Sequence, residues 1–359
     1  MAGACQMHIY PLEFVERLNM KRGLLLGILL ALVVFISPAW AENVDSIQWM
    51  RGDYIGVGGI DIQKFSQRKI YQELMAFFET DSGVKQALAE IRDAGVVLDK
   101  TLKRIVVGIP VDVEKSEHIV FWETDEDLSK YRAILSAHSN KIDTRTFMEV
   151  PYYATKRENE CMALIENVFV LGSELRVKEV IESYKTGYKK GLKSAELAAE
   201  VKRTDKSRDA WFAFALTARE RQRIGGGDPI IDMTSEGLGK ANLGDIQQGN
   251  ISMAFSSGLL VLSTTRMASE QSAKQTATLL TTLIERGAND KDIAELGLGA
   301  FLTGVSFSSK KDELLLTVTY DQARFDELIA LITQFAKSIP GQPKTKKSAP
   351  APTARPAAK

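Results

Sequence analysis

Cysteine, histidine and long hydrophobic runs are all scarce in this chain of 359 residues. The sequence holds two cysteines and three histidines. Beyond residue 41 the only cysteine is Cys161, so no disulfide can form within that part, and its place in an apolar run favours a small buried side chain. His118 and His138 belong to no H-E-x-x-H or C-x-x-C pattern. We therefore expect no metal site and no cofactor.

Motifs for phosphate binding are also missing. The glycines of Gly56–Gly59 are not followed by the third glycine of a dinucleotide fingerprint. Those of Gly225–Gly227 have no lysine and hydroxyl residue behind them, which a P-loop requires. Turns and irregular strands explain both clusters.

One pair of segments partly matches an enzyme motif. Ser66 and Lys69 have the S-x-x-K spacing of penicillin-interacting serine enzymes, and Lys185–Gly187 reads K-T-G. The intervening S-x-N or Y-x-N element is absent from the expected place, and Lys185 follows a helical stripe rather than lying on a strand. Gly187 is better explained as a helix stop. The chain is therefore interpreted as non-enzymatic, with no catalytic residues.

The longest apolar run predicts export. Leu24–Ile36 follows Lys21 and Arg22 and leads to Ala39-Trp40-Ala41, which is the order of charged start, apolar core and A-x-A end in a secretory signal peptide. The run is shorter than the ~20 residues of a membrane-spanning helix. Met20 stands directly before the charged pair and is the expected start of translation. Residues 1–41 are thus an upstream extension and a signal peptide, and we expect a periplasmic or secreted protein.

Charge is distributed unevenly although the total is neutral. Residues 42–336 hold 37 basic and 44 acidic side chains, a net of −7, whereas residues 337–359 hold six basic groups and no acid. The end of the chain is rich in Pro, Ala and Lys and has almost no apolar bulk, so residues 338–359 are predicted to be a disordered tail. The tail is either a solubilising end or a contact to anionic lipid or cell-wall polymer. The acidic body disfavours nucleic-acid binding.

A hairpin followed by an amphipathic helix recurs four times. The strand pairs are predicted at 104–111 with 118–124, 161–165 with 168–172, 249–256 with 259–265, and 301–308 with 313–320. Each pair leads to an apolar helical stripe, the most regular being Phe325, Leu328, Ile329, Ile332 and Phe335. Further strands are predicted at 54–60 and 211–217, one opening each half of the chain.

This repetition predicts a duplicated α+β fold, with antiparallel sheets and helices packed on one face. The first half spans residues 42–187 and the second 208–337, joined by an exposed, partly helical basic connector at 188–207. The layout resembles bacterial exported proteins of unknown function that are built from repeated hairpin-plus-helix units. The resemblance covers about 44–337 and includes Gly95-Val-Val-Leu-Asp99 leading into Leu102–Gly108. The Gly-rich segment 224–244 departs from it.

The remaining polar and aromatic candidates have structural explanations. Asp125–Asp127 lie at a predicted helix start, where the helix dipole favours acids. Trp122, Tyr152 and Tyr153 are typical of a half-buried sheet, although they could line a ligand surface. The sequence favours an exported envelope or periplasmic binding module with an unknown envelope partner and no transmembrane helix after cleavage. The alternative is an uncharacterised secreted hydrolase.

Cleavage is expected between Ala41 and Glu42, because signal peptidase recognises the small residues at positions 39 and 41. N-terminal sequencing of the exported protein should read Glu-Asn-Val. A mature protein that still contains Leu24–Ile36 would contradict this prediction.

Overall fold

The computed structural model describes residues 45–78, 89, 92, 98–111, 118–137, 142–155, 160–188, 191–225, 231–232, 240–241, 243–291 and 297–338. The signal peptide and the tail beyond Ser338 therefore lie outside the described residues. So do the predicted stripe of Val84, Leu88 and Ile91 and the side chains of Ile332 and Phe335.

The described residues form fourteen strands and ten α-helices. The strands are β1 Tyr54–Asp61, β2 Leu102–Pro110, β3 Ile119–Thr124, β4 Ile142–Phe147, β5 Val150–Thr155, β6 Glu160–Ile165, β7 Val168–Ser173, β8 Ala210–Ala215, β9 Ile231–Asp232, β10 Lys240–Ala241, β11 Ile246–Ala254, β12 Gly258–Met267, β13 Val305–Lys310 and β14 Glu313–Asp321. The helices are α1 Ile62–Phe65, α2 Lys69–Phe78, α3 Leu98–Thr101, α4 Ser129–Ala137, α5 Glu174–Lys185, α6 Ala195–Arg203, α7 Ala218–Gly225, α8 Glu270–Asn289, α9 Gly299–Leu302 and α10 Gln322–Ser338. Two short 3₁₀ helices lie at Ser46–Trp49 and Leu243–Asp245. None of these helices combines the length and hydropathy that crossing a bilayer requires.

Twelve strands form one antiparallel sheet in the order β13-β14-β12-β11-β8-β1-β2-β3-β7-β6-β5-β4, and β9 pairs with β10 separately. The α+β class and the antiparallel pairing are thereby confirmed. Counted outwards from the centre, the two halves of the sheet have the strand orders β1-β2-β3-β7-β6 and β8-β11-β12-β14-β13. In each half the first three strands follow the order of the chain, and the last two form a hairpin whose second strand lies further in. Equal strand order alone does not establish a duplication, which stays a prediction.

The two halves meet where β1 pairs with β8, and glycine makes this contact possible. Gly59 lies opposite Trp211. A Cβ at position 59 would be 2.5 Å from the indole Nε1, closer than real Cβ contacts come. On the other face of the sheet, a Cβ at position 56 would lie 2.5 Å from Cζ of Phe212. The glycines of β1 therefore serve the packing of aromatic rings across the centre.

Helices cover both faces of the sheet, whereas the sequence predicted one. We call the face that carries Val106, Phe121 and Val170 the front, and the face that carries Ile105, Trp122 and Phe169 the back. The front packs against α5 and α6 through Val177, Val180, Ile181, Leu197 and Val201. The back packs against α2, α4, α8 and α10 through Ile70, Leu128, Tyr131, Ala273, Ala277 and Phe325. Two-sided burial explains why β2 is apolar at consecutive positions instead of alternating.

The predicted hairpins are largely confirmed, and Ser173 and Asp321 cap α5 and α10 by accepting from Arg176 N and Arg324 N. Three details were wrong. The first strand of the fourth hairpin begins at Val305, because Phe301 belongs to α9 and packs edge-on against Tyr320. The hairpin of β4 and β5 was missed. The connector is not exposed throughout, since α6 lies within it and buries Leu197 and Val201.

Replacing Ile181 with Ala should lower the free energy of unfolding by about 2–5 kcal/mol, the range for truncating a packed core residue. Ile181 is 0% exposed and lies on the side of α5 that packs against the front of the sheet. The matched control on the same helix is Leu175→Ala, because Leu175 is 52% exposed. Urea unfolding of both variants measures the difference, and equal losses would place Ile181 outside the core.

Candidate functional site

The S-x-x-K and K-T-G segments do not come together. Ser66 follows α1, whose Ile62 and Phe65 pack on the back of the sheet, and its hydroxyl donates to the Gln63 carbonyl at 3.1 Å. The Lys69 ammonium lies 2.5 Å from Asp326 on α10 rather than against Ser66.

The K-T-G triplet ends α5, as the sequence predicted. Lys185 pairs with Glu149 at the tip of the β4–β5 hairpin, and Gly187 has a φ of +66°. Because α5 packs on the front face and α1 on the back, the sheet separates the two motifs.

Cys161 is buried on β6, as predicted, and burial raises the pKa of its thiol. His118 is half-buried just before β3, and His138 lies outside the described residues. Within the described part of the chain, no group of three or more metal-binding side chains comes together.

The acidic run precedes α4, and its three carboxylates are engaged in hydrogen bonds and an ion pair instead of lying in the first turn of the helix. Asp127 accepts from the Ser129 hydroxyl and, at 3.0 Å, from its backbone N–H, and these bonds lower its pKa. Glu126 accepts from the Tyr131 hydroxyl at 2.6 Å. Asp125 pairs with Lys103 at 3.0 Å.

The aromatic candidates Trp122, Tyr152 and Tyr153 do not form one surface. Tyr152 faces the front and donates to Glu174 at 2.6 Å, while Tyr153 packs into the back-face cluster of α4. Trp122 packs against Phe169 on the back, with 6.3 Å between ring centroids. Hydrogen bonds from Lys178, Tyr152 and Arg145 lower the pKa of Glu174 to about 2.

A buried ion pair ties the 3₁₀ helix at Ser46–Trp49 to the sheet. Glu123 is 2% exposed and accepts two hydrogen bonds from Arg104, at 2.8 and 2.9 Å, and one from the Ser46 hydroxyl at 2.7 Å. Burial acts to lower the pKa of Arg104, but the Glu123 carboxylate outweighs burial and raises it. Both carboxylate oxygens of Glu123 are thus committed to holding the fold.

Glu200 and Asp209 have the same kind of role. Glu200, on α6, is 1% exposed and accepts from the amides of Gln248 and Asn250, both at 2.8 Å. Asp209 accepts from Arg68 at 3.2 Å and from the Phe255 backbone N–H at 2.6 Å. These carboxylates connect segments that are distant in sequence, which is a structural rather than a chemical role.

Two further ionisable groups near the centre of the sheet have shifted pKa values. Burial raises the pKa of Asp61, whose carboxylate caps α1 by accepting from Lys64 N at 2.8 Å. Burial lowers the pKa of Lys206, which lies 5.3 Å from the centroid of the Trp211 ring. The two side chains belong to different contacts, and no pair of an acid and a nucleophile is formed.

An open groove lies at one edge of the sheet, between α8 and β13. It encloses about 360 Å³. Eight residues line it: Lys274, Ala277, Thr278, Thr281, Thr282, Phe307, Ser308 and Ser309. The Thr281 hydroxyl donates to the Phe307 carbonyl at 3.5 Å, which fixes the helix against the strand. The groove can offer hydrogen bonds and a positive charge to a ligand lying along the strand.

Sequence reasoning missed this groove. The sequence pattern places Ala277 in an apolar helical stripe, Phe307 and Ser308 in a strand, and Ser309 in the following turn, and it assigns no role to Lys274 or the three threonines. The available signal was the row of small side chains at Ala277, Thr278, Thr281 and Thr282, which is the helix face next to the buried one. What that face meets depends on the strand order.

No protein-family model and no curated protein matches this chain. Solved structures do align with it, among them three crystal forms of TP0453. Form III has 9% sequence identity and a TM-score of 0.49, form I has 9% and 0.44, and form IV has 11% and 0.46. Each alignment covers 82% of this chain, and 100%, 99% and 99% of the TP0453 chain respectively. Similarity at this level carries no argument about function.

Replacing Glu123 with Gln should lower the free energy of unfolding by about 3–5 kcal/mol, because Arg104 would be left without its counter-charge. The matched control is Glu149→Gln. Glu149 pairs with Lys185 while its side chain is 89% exposed, and an exposed pair contributes only about 0–1 kcal/mol. Thermal and urea unfolding of both variants measure the two losses, and a near-zero loss for Glu123→Gln would contradict the structural role.

Proposed function

We propose that this chain is an exported, non-catalytic protein of the bacterial envelope or periplasm that acts as a binding module. The observation that carries the proposal is the open groove between α8 and β13, which presents hydroxyl groups and Lys274 beside an apolar floor of Ala277 and Phe307. A few placed polar groups around apolar side chains are typical of a binding site.

The buried acids form hydrogen bonds within the fold, and this supports the non-catalytic part of the proposal. A general acid or base must reach a substrate. Glu123, Glu200 and Asp209 instead have their carboxylate oxygens occupied by Arg104, by Gln248 with Asn250, and by Phe255 N. Their burial is explained by the fold.

Export rests on the sequence of residues 20–41, and the basic tail is part of the same proposal. The six cations of residues 337–359 would attract anionic lipid head groups or cell-wall polymer, an attraction that salt weakens. The partner bound in the groove is a separate component of the envelope.

Site-specific photocrosslinking tests the proposal. Benzoylphenylalanine is placed at Thr278, in the groove, and as a matched control at Thr186, an exposed threonine at the end of α5. The full chain is exported from its own leader, and intact cells are irradiated. We expect envelope adducts with the groove position and not with the control, in cell fractions that contain the mature protein.

Three results would contradict the proposal. Equal adducts at both positions, or none at either, would remove the groove as a binding site. A reporter β-lactam that labels the wild type but not Ser66→Ala would support the secreted hydrolase instead.

A further inference from the structure

β4 forms the edge of the sheet that lies furthest from the groove, and within the described part of the chain the sheet ends there. A two-residue turn with positive φ at both positions joins β4 to β5, so Phe147 and Val150 beside it form a hydrogen-bonded pair. Hydrogen-bonded and non-hydrogen-bonded pairs alternate from that point along the ladder. The N–H and C=O groups of Ile142, Thr144 and Thr146 therefore point away from β5, towards the open edge.

β4 lacks most of the features that protect an edge strand from pairing. It is six residues long and contains no proline, no lysine and no bulge. Its charged residues are Asp143 and Arg145, one acid and one base two positions apart. Arg145 lies opposite Tyr152, which faces the front of the sheet, and alternate residues of a strand share a face. Both charges of β4 therefore lie on the front.

Charge selects one register for the antiparallel pairing of β4 with the β4 of a second copy. Outward-pointing residues must meet outward-pointing residues, and a two-fold axis perpendicular to the sheet relates the two strands. With the axis at Thr144, each Asp143 lies opposite the Arg145 of the other copy. An axis at position 143 or 145 would instead place two acids or two bases directly opposite each other, which is unfavourable. Registers centred nearer either end pair fewer residues of the strand.

Contacts within the chain already hold Arg145 in place on the front. Its Nη1 lies 2.7 Å from Glu174 on α5, which also accepts from the Tyr152 hydroxyl at 2.6 Å. Its Nη2 lies 3.9 Å from Asp143 of the same strand, beyond hydrogen-bonding distance. A guanidinium carries five N–H donors, so Arg145 can bind Glu174 and a second carboxylate at the same time.

The opposite edge of the sheet is less open to pairing. On β13, the Phe307 carbonyl accepts from the Thr281 hydroxyl at 3.5 Å, and α8 lies alongside the strand. On β4, Thr144, Arg145 and Thr146 are exposed. We therefore assign self-pairing to β4.

We infer that two copies of the chain pair antiparallel through β4 and join their sheets into one. Thr144 of each copy exchanges backbone hydrogen bonds with Thr144 of the other, and Asp143 and Arg145 form two symmetric ion pairs on the front. One six-residue strand makes a small interface, so the dimer dissociates on dilution. The inference goes beyond the proposed function and does not rest on the groove, which lies at the opposite edge of the sheet.

Sedimentation velocity of the mature chain, residues 42–359, tests the pairing with two charge variants. Asp143→Arg places a base opposite Arg145 of the other copy, and Arg145→Asp places an acid opposite its Asp143. We expect each variant alone to dimerise about tenfold more weakly than the wild type. An equal mixture of the two should dimerise within about twofold of the wild type, because an acid again lies opposite a base at both positions.

Three outcomes of this experiment would overturn the inference. The first is a wild type that stays monomeric at every concentration. The second is assembly of the wild type that neither charge variant weakens, since the copies would then meet at another surface. The third is a mixture of folded variants, checked by thermal melts, that does not recover the dimer.

Cysteine crosslinking gives an independent measurement if Arg145→Asp does not fold. In the paired strands the two copies of residue 144 face each other with Cα atoms about 5.5 Å apart, within the range of a disulfide. The two copies of residue 146 are about 13 Å apart along the strands. Under mild oxidation we expect Thr144→Cys to form a covalent dimer, and Thr146→Cys and the wild type, whose Cys161 is buried, to form little. Equal crosslinking of the two variants, or none with either, would contradict the pairing.

Discussion

Trp211 lies flat across Gly59 at the centre of the sheet, and the joining of the two halves depends on this contact. On the front face the indole is 1% exposed, while Phe212 uses the space above Gly56 on the back. Any side chain at position 59 would displace the indole from this position. The glycines of β1 thus leave room for the aromatic side chains of β8, the strand through which the two halves join into one sheet.

The sequence predicted the regular parts of the fold because local signals and burial agree there. Hairpins and helices with one apolar face, such as β6–β7 followed by α5, were placed within a few residues. The β4–β5 hairpin was missed because β4 reads IDTRTF, in which polar residues fill both faces, and its turn uses Met148 and Glu149 at positive φ rather than glycine. In α6 the charged residues hid Leu197 and Val201, which bury one side of the helix.

The candidate site was less predictable, because its parts are brought together by strand order. Lys274 and Ser308 belong to different hairpin units and meet only because β13 is the last strand of the sheet and α8 folds back against it. The buried carboxylates show the same limit. Glu200 bonds to Gln248 and Asn250, about fifty positions later, and no local spacing indicates such a pair. Sequence patterns indicated the S-x-x-K and K-T-G segments, which the fold keeps apart. The groove between α8 and β13 follows from the strand order, which no local pattern shows.

The pairing of Gly58 with Phe212 also has a consequence for the order of folding. The first half of the chain is synthesised before the second, so β2 and β3 can pair with β1 before β8 is available. Until then one side of β1 is a bare edge, in a sheet whose neighbouring strands are apolar on both faces. Contacts between residues this distant form slowly, since a long loop must close first. Before β8 pairs, the strand that becomes the centre of the sheet is therefore an open edge at which another chain could pair.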